Sequence, residues 1–311
     1  MIKEYLNASR QVELLEQRGL SCDDHSRQIL LREGYYAVIN GYGKYFLDGP
    51  ASERTHEDRY LPDATFDDVY ALFLFDRTLR MLTFARLSQV EGMLRSLVST
   101  AFLQVHDGPE DYLDPTSFTQ PAQYVLGERN YDRNLRQTIN TLSRYAHDHE
   151  DDERGRDDAR LAHYRANYDS VPLWVVFSDF SFGNLFHFLA LMRKEEQAVV
   201  CQKLAYAVGR ESDGSETLSR RALINDVDLQ VDVRNLCAHG ERLFDARVGY
   251  HGTQNYADFV RMLGRYLPQE DAYDFARALL ELLDQAQDAS SLTQSVLAQM
   301  HIREAARQLS D

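Results

Sequence analysis

Residues 65–105 read TFDDVYALFLFDRTLRMLTFARLSQVEGMLRSLVSTAFLQV. Apolar side chains recur at helical spacing through Val69, Leu72, Phe73, Leu79, Leu82, Val90, Leu94, Leu97 and Val98, so the stretch predicts one long helix. Thr65 is placed to cap its first turn, and Asp67 and Asp68 face the positive end of its dipole. No segment of the chain shows a sustained two-residue alternation bounded by turn residues. An all-α fold follows. The helix also carries two acid-then-base pairs at a spacing of four, Asp76 with Arg80 and Glu91 with Arg95, the favourable order for a helical pair. For the first pair a solvated face and a functional position fit equally. For the second, a buried ion pair and the lining of a cleft both fit.

On the N-terminal side, Ser9 to Glu33 has helical spacing, and Gly34-Tyr35-Tyr36 through Gly41-Tyr42-Gly43-Lys44-Tyr45-Phe46 follows as a glycine-broken aromatic segment. Residues 50–62 read as a polar loop. On the C-terminal side, residues 106–121 form a second loop and Tyr131 to Arg144 a helix. Residues 147–158 are a run dominated by acids, whose two histidines raise a metal site but fit a solvated loop better. Pro172 opens an apolar helix that is interrupted at residues 181–184 and resumes from Leu185 to Met192. Leu218 to His239, Tyr256 to Tyr266, Asp271 to Asp288 and Leu292 to Leu309 are expected to be helices. This gives a helical cap over residues 1–60, a helical core over 61–250 with the acidic loop near 147–158, and helices packed on the core over 251–311.

The 311 residues are 44% hydrophobic, enough for a core without disulfides or metals. No window approaches the run of about 18 apolar residues that marks a membrane span. The first residues, Met1 to Tyr5, lack the apolar stretch of a signal peptide. The expectation is a cytoplasmic chain with no membrane partner. Cys22, Cys201 and Cys237 are too scattered for a zinc site or a disulfide framework and read as reduced thiols. A net charge of −15 argues against a general nucleic-acid coat, so any RNA role needs a local basic site.

Asp232-Val233-Arg234-Asn235-Leu236-Cys237-Ala238-His239-Gly240 places Arg234 and His239 in an R-x-x-x-x-H pattern at a helix end that Gly240 is suited to terminate. Asn235 and His239, four apart, share a face. By itself an Arg and a His five apart is weak, and a histidine at a helix end is as readily a cap. The surrounding form, R-N-x-x-A-H followed by Arg242-Leu243-Phe244, belongs with further blocks in order. These are Gly34-Tyr35-Tyr36 with Gly41-Tyr42, Phe75-Asp76-Arg77 with Leu79-Arg80, Val90-Glu91 with Leu94-Arg95, Pro172-Leu173-Trp174-Val175, and Ser181-Phe182-Gly183.

Together these blocks, from about residue 30 to 245, resemble the abortive-infection (Abi) family of the HEPN superfamily, in its AbiD/AbiF-like form. Asp179, where glutamate is expected, and the acidic run depart from the pattern. The resemblance implies a HEPN-type helical bundle with extra N- and C-terminal helices, and a metal-independent endoribonuclease toxin of phage defence with no cofactor. Arg234, His239 and Asn235 would be catalytic, with Glu91, Arg95 and Arg242 supporting them or binding RNA. It also implies a homodimer, because such nucleases commonly build one site from two copies of the motif and this chain carries the full R-N-x-x-A-H form once. RNA is the expected partner, and an antitoxin is compatible with the reading. The chemistry agrees: with the 2′-hydroxyl as nucleophile, His239 would move a proton and Arg234 would stabilise charge on phosphorus. Tyr42 and Tyr45 fit base stacking or the core. The alternative is a non-catalytic module that binds a regulatory RNA or a protein partner. A phosphate-cradling enzyme finds no glycine-rich strand-to-helix turn.

Overall fold

Thr65 and Asp68 cap each other at the start of the long helix. The Thr65 hydroxyl accepts from the Asp68 N–H at 3.2 Å and the Asp68 carboxylate accepts from the Thr65 N–H at 2.9 Å. The helix that follows, α4 (Phe66–Leu103), runs 38 residues, about 57 Å. Its Val69, Leu72, Leu79, Leu87, Val90, Leu94 and Val98 are fully buried, so it is an axis of the molecule and not a flank.

The structure is a computed structural model and describes residues 5–147, 159–210, 218–249, 252–286 and 290–310. Before α4 come α1 (Ala8–Gln17), α2 (Asp24–Glu33), a π-helical turn at Tyr36–Asn40, a 3-10 turn at Gly43–Phe46 and α3 (Gly49–Thr55). After it come α5 (Glu128–Ala146), α6 (Ala159–Asn167), α7 (Leu173–Asp179), α8 (Phe182–Leu191), α9 (Lys194–Ala207) and α10 (Arg220–His239). The chain then forms α11 (Tyr256–Leu263), α12 (Gln269–Gln285), α13 (Ser291–Ala298) and α14 (Ile302–Ser310). Among the described residues there is no strand, only isolated bridges such as Leu47 with Tyr60. The fold is all-α. Helices α7, α9, α10 and α12 pack around α4, and one continuous apolar core runs from Leu15 to Ala306. None of the helices, among the described residues, is long and apolar enough to cross a membrane.

Several sequence expectations change in detail. The Ser9 to Glu33 stretch is two helices, because Gly19 takes φ +92° and Asp23 restarts the helix by capping Ser26. Half of the expected loop at 50–62 is α3, capped by Asp48 with Pro50 in its first turn. The expected last helix breaks in two at His301, which adopts φ +52°. Helix α9 has no counterpart in the sequence expectations. Of the acidic run at 147–158, residues 148–158 lie outside the described residues.

Candidate active site

Helix α10 begins at Ser219, whose hydroxyl accepts from the Ala222 N–H at 3.2 Å, and buries Leu223, Ile224, Val227, Leu229 and Val233 in the core. Its last two turns leave the core side, with Asn235, Ala238 and His239 exposed. Gly240 then takes φ +68° and ends the helix. The Glu241 N–H reaches back to the Leu236 carbonyl at 3.0 Å and the Gly240 N–H to Cys237 at 3.3 Å. His239 is therefore the final helical residue, at the negative end of the dipole. Its imidazole makes no hydrogen bond or ion pair to any described residue.

Arg234 is held from the side by α4. Its Nε lies 3.7 Å from Glu91 Oε2, and its Nη1 donates to Asn235 Oδ1 at 3.4 Å. The other oxygen of Glu91 accepts from Arg95 Nη2 at 2.5 Å, and that same nitrogen donates to the Phe180 carbonyl at 2.7 Å, just ahead of α8. Glu91 is thus a buried carboxylate shared by two arginines. Its side chain is 8% exposed, against 29% for Arg234 and 27% for Arg95. Both arginine Nε atoms are buried without a hydrogen bond. Arg234 and His239 stand about 7.5 Å apart along the helix axis, and Asn235 lies one turn below His239.

The structure therefore brings Arg234, Glu91, Arg95 and Asn235 together, and leaves His239 one turn beyond Asn235 and about 140° around the helix from Arg234. Arg242 goes elsewhere. Its Nη1 donates to the Gly41 carbonyl at 2.6 Å, its Nε to Asp245 at 3.0 Å, and its guanidinium lies over the Tyr45 ring. Tyr45 also donates to Asp245. Burial works against the Asp245 charge, but Tyr45, Arg242 and Lys44 together hold its carboxyl below the usual range.

Beneath this turn sits Asp76, fully buried, accepting from Tyr42 Oη at 2.6 Å, Arg80 Nη1 at 2.6 Å and the N–H groups of Leu243 and Phe244 at 3.1 and 2.8 Å. Burial pushes the Asp76 carboxyl up, and these donors oppose the shift without cancelling it. Arg80 also reaches the Glu241 carbonyl at 3.2 Å. The Asp76–Arg80 pair is thus no solvated face: it ties α4 to the segment that leaves the α10 motif. Tyr42 is core, 2% exposed and hydrogen-bonded, so it cannot stack a base.

The roles of Tyr42 and Asp245 went unread in the sequence. Their signal is chemical: an arginine or aspartate that packs inside needs a partner, and the flanking blocks supply the candidates. The thiols are unpaired; burial pushes Cys201 up to about 11 and Cys237 up to about 12. Among the described residues no three His, Cys, Asp or Glu side chains gather as a metal site.

The family model described as Abi-like protein matches residues 28–245, well over half of the chain, and the protein belongs to that family. Neither the curated proteins nor the solved structures include a match to it.

Proposed function

We propose that this protein is a metal-independent endoribonuclease of the HEPN type that acts as a toxin in abortive infection, working as a homodimer that pairs two α10 motifs. Family membership supports the defence role. The observation that carries the chemistry is the exposed His239 imidazole without a partner, one turn from an Asn235 that Arg234 touches while Glu91 holds the guanidinium.

In this reading the RNA 2′-oxygen attacks phosphorus, the O2′–P bond forms and the P–O5′ bond breaks. His239 takes the hydroxyl proton, and the partner motif returns one to the leaving 5′-oxygen. Arg234 neutralises the charge that grows on the non-bridging oxygens, and Asn235 orients the imidazole or holds a phosphate oxygen. The products are a 2′,3′-cyclic phosphate and a 5′-hydroxyl. The small exposed Ala238 beside His239 leaves room for a second copy to approach.

The test is incubation of wild type, Arg234→Ala and His239→Ala with total cellular RNA in EDTA, with mapping of the fragment ends. Wild type should leave cyclic phosphates, and His239→Ala should be slower by about 10² to 10⁴-fold with an unchanged melting temperature. Absence of cleavage, with RNA affinity lost in both variants, would move the function to a non-catalytic RNA-binding module.

A further inference from the structure

Past Arg95, the exposed side of α4 continues as Ser96 and Thr100, and facing it are Trp174 and Ser178 of α7 and Arg160 of α6. These side chains line a cavity of about 560 Å³, within the range of about 300 to 1,000 Å³ typical of sites for small organic ligands. Its contents are unusual for this molecule. The chain's only tryptophan stands here 58% exposed, while its neighbours Leu173, Val175, Val176 and Phe177 are buried. In a protein of net charge −15, two guanidinium groups line it, Arg95 paired with Glu91 at 2.5 Å and Arg160 with Asp179 at 3.2 Å. One of them, Arg95, is the same residue that binds Glu91, which in turn holds Arg234.

Gly92 adds a second, independent sign. It lies in the interior of α4, where glycine is the poorest choice after proline. A Cβ there would meet no atom within 4 Å, so no close approach inside the protein demands a glycine. Gly92 also lines the cavity, and any side chain at this position would grow into it.

We propose that this cavity holds one nucleotide of the single-stranded RNA substrate, adjacent to the bond presented to Arg234 and His239. The base stacks on the Trp174 indole, the phosphate lies against the forked guanidinium groups of Arg95 and Arg160, and the Ser96 and Thr100 hydroxyls face the sugar. The bare edge of Gly92 makes the room. This assignment rests on the ribonuclease reading for its choice of ligand. Its test does not depend on cleavage.

Trp174, being the only tryptophan, is its own reporter. Its fluorescence is titrated with a 2′-O-methyl hexaadenylate, which cannot be cut at the 2′-oxygen, and in parallel with AMP. Wild type should show saturable quenching by the hexamer, and Gly92→Leu should bind it at least about tenfold more weakly while keeping its helical circular dichroism. Ser96→Phe serves as the filling variant if Gly92→Leu fails to fold. Unquenched tryptophan while the hexamer binds by anisotropy overturns the assignment, as does equal binding by the filled variants. Quenching by AMP as tight as by the hexamer overturns the RNA assignment in favour of a free mononucleotide. Quenching without any cleavage by wild type leaves the cavity standing and removes the nuclease, whereas cleavage without quenching does the reverse.

Discussion

Helix α4 carries the same device twice, and the two copies have opposite fates. Asp76–Arg80 and Glu91–Arg95 are both an acid followed four residues later by a base. The first is 0% and 9% exposed and the second 8% and 27%. Around Asp76 every near group is committed: a tyrosine hydroxyl, a guanidinium and two backbone N–H groups converge on one carboxylate. Around Glu91 the arrangement has slack, with one oxygen 3.7 Å from Arg234 and two guanidinium Nε atoms making no hydrogen bond. A saturated cluster fixes the chain. An unsaturated one at the surface keeps charge available for a ligand.

That contrast is broken most directly at Asp76. Asp76→Ala leaves Arg80 buried without its counter-charge and two backbone donors unpaired, so it should cost about 3 to 5 kcal/mol in urea unfolding. A loss under about 1 kcal/mol would mean that the cluster does not hold the fold.

Asp226 on α10 sharpens the point, because it is buried with only two donor groups, Arg265 at 2.9 Å and Tyr266 at 3.1 Å. Burial prevails here, as it does at Asp76, and pushes the Asp226 carboxyl up from 3.8 to about 6. The folded state then holds the proton more tightly than the unfolded chain. The stability from this group is complete below pH 4 and is lost as pH rises through 6. Wild type should accordingly lose about 3 kcal/mol relative to Asp226→Asn between those limits. Parallel pH profiles for the two proteins would show that Asp226 does not titrate in this way.

The smallest change in stability is expected from Glu91→Gln, about 1 to 3 kcal/mol. Its effect on the proposed cleavage should exceed its effect on folding, since Arg234 loses the anchor that aims it. Equal losses in both would make Glu91 a second structural joint.

Much of this fold was legible because its signals are local. Thr65 with Asp68 announced the start of α4, and Gly240 announced the end of α10, each through a hydrogen-bonding need that the neighbouring residues satisfy. The break at His301 was not legible. No proline or glycine marks it, and a left-handed histidine persists only where packing imposes it, here α14 against α11 and α12. The candidate site divides along the same line. Arg234, Asn235 and His239 share one helix end and were readable together. The separation of Arg242 from them depends on Gly41 and Asp245, and Gly41 is some two hundred residues away along the chain. The cavity beside Trp174 joins three helices that are far apart along the chain, and was not legible in the sequence.

Because both clusters hang from one unbroken helix, they are locked in phase. Asp76 and Glu91 are fifteen positions apart, about four turns and a sixth, which sets both carboxylates toward the α10 side. A single residue inserted between them would swing Glu91 about 100° away from Arg234 while the Asp76 joint stayed shut. A seven-residue insertion would restore the angle to within about 20° and only lengthen the span. Along this helix a change of angle is therefore more damaging than a change of distance.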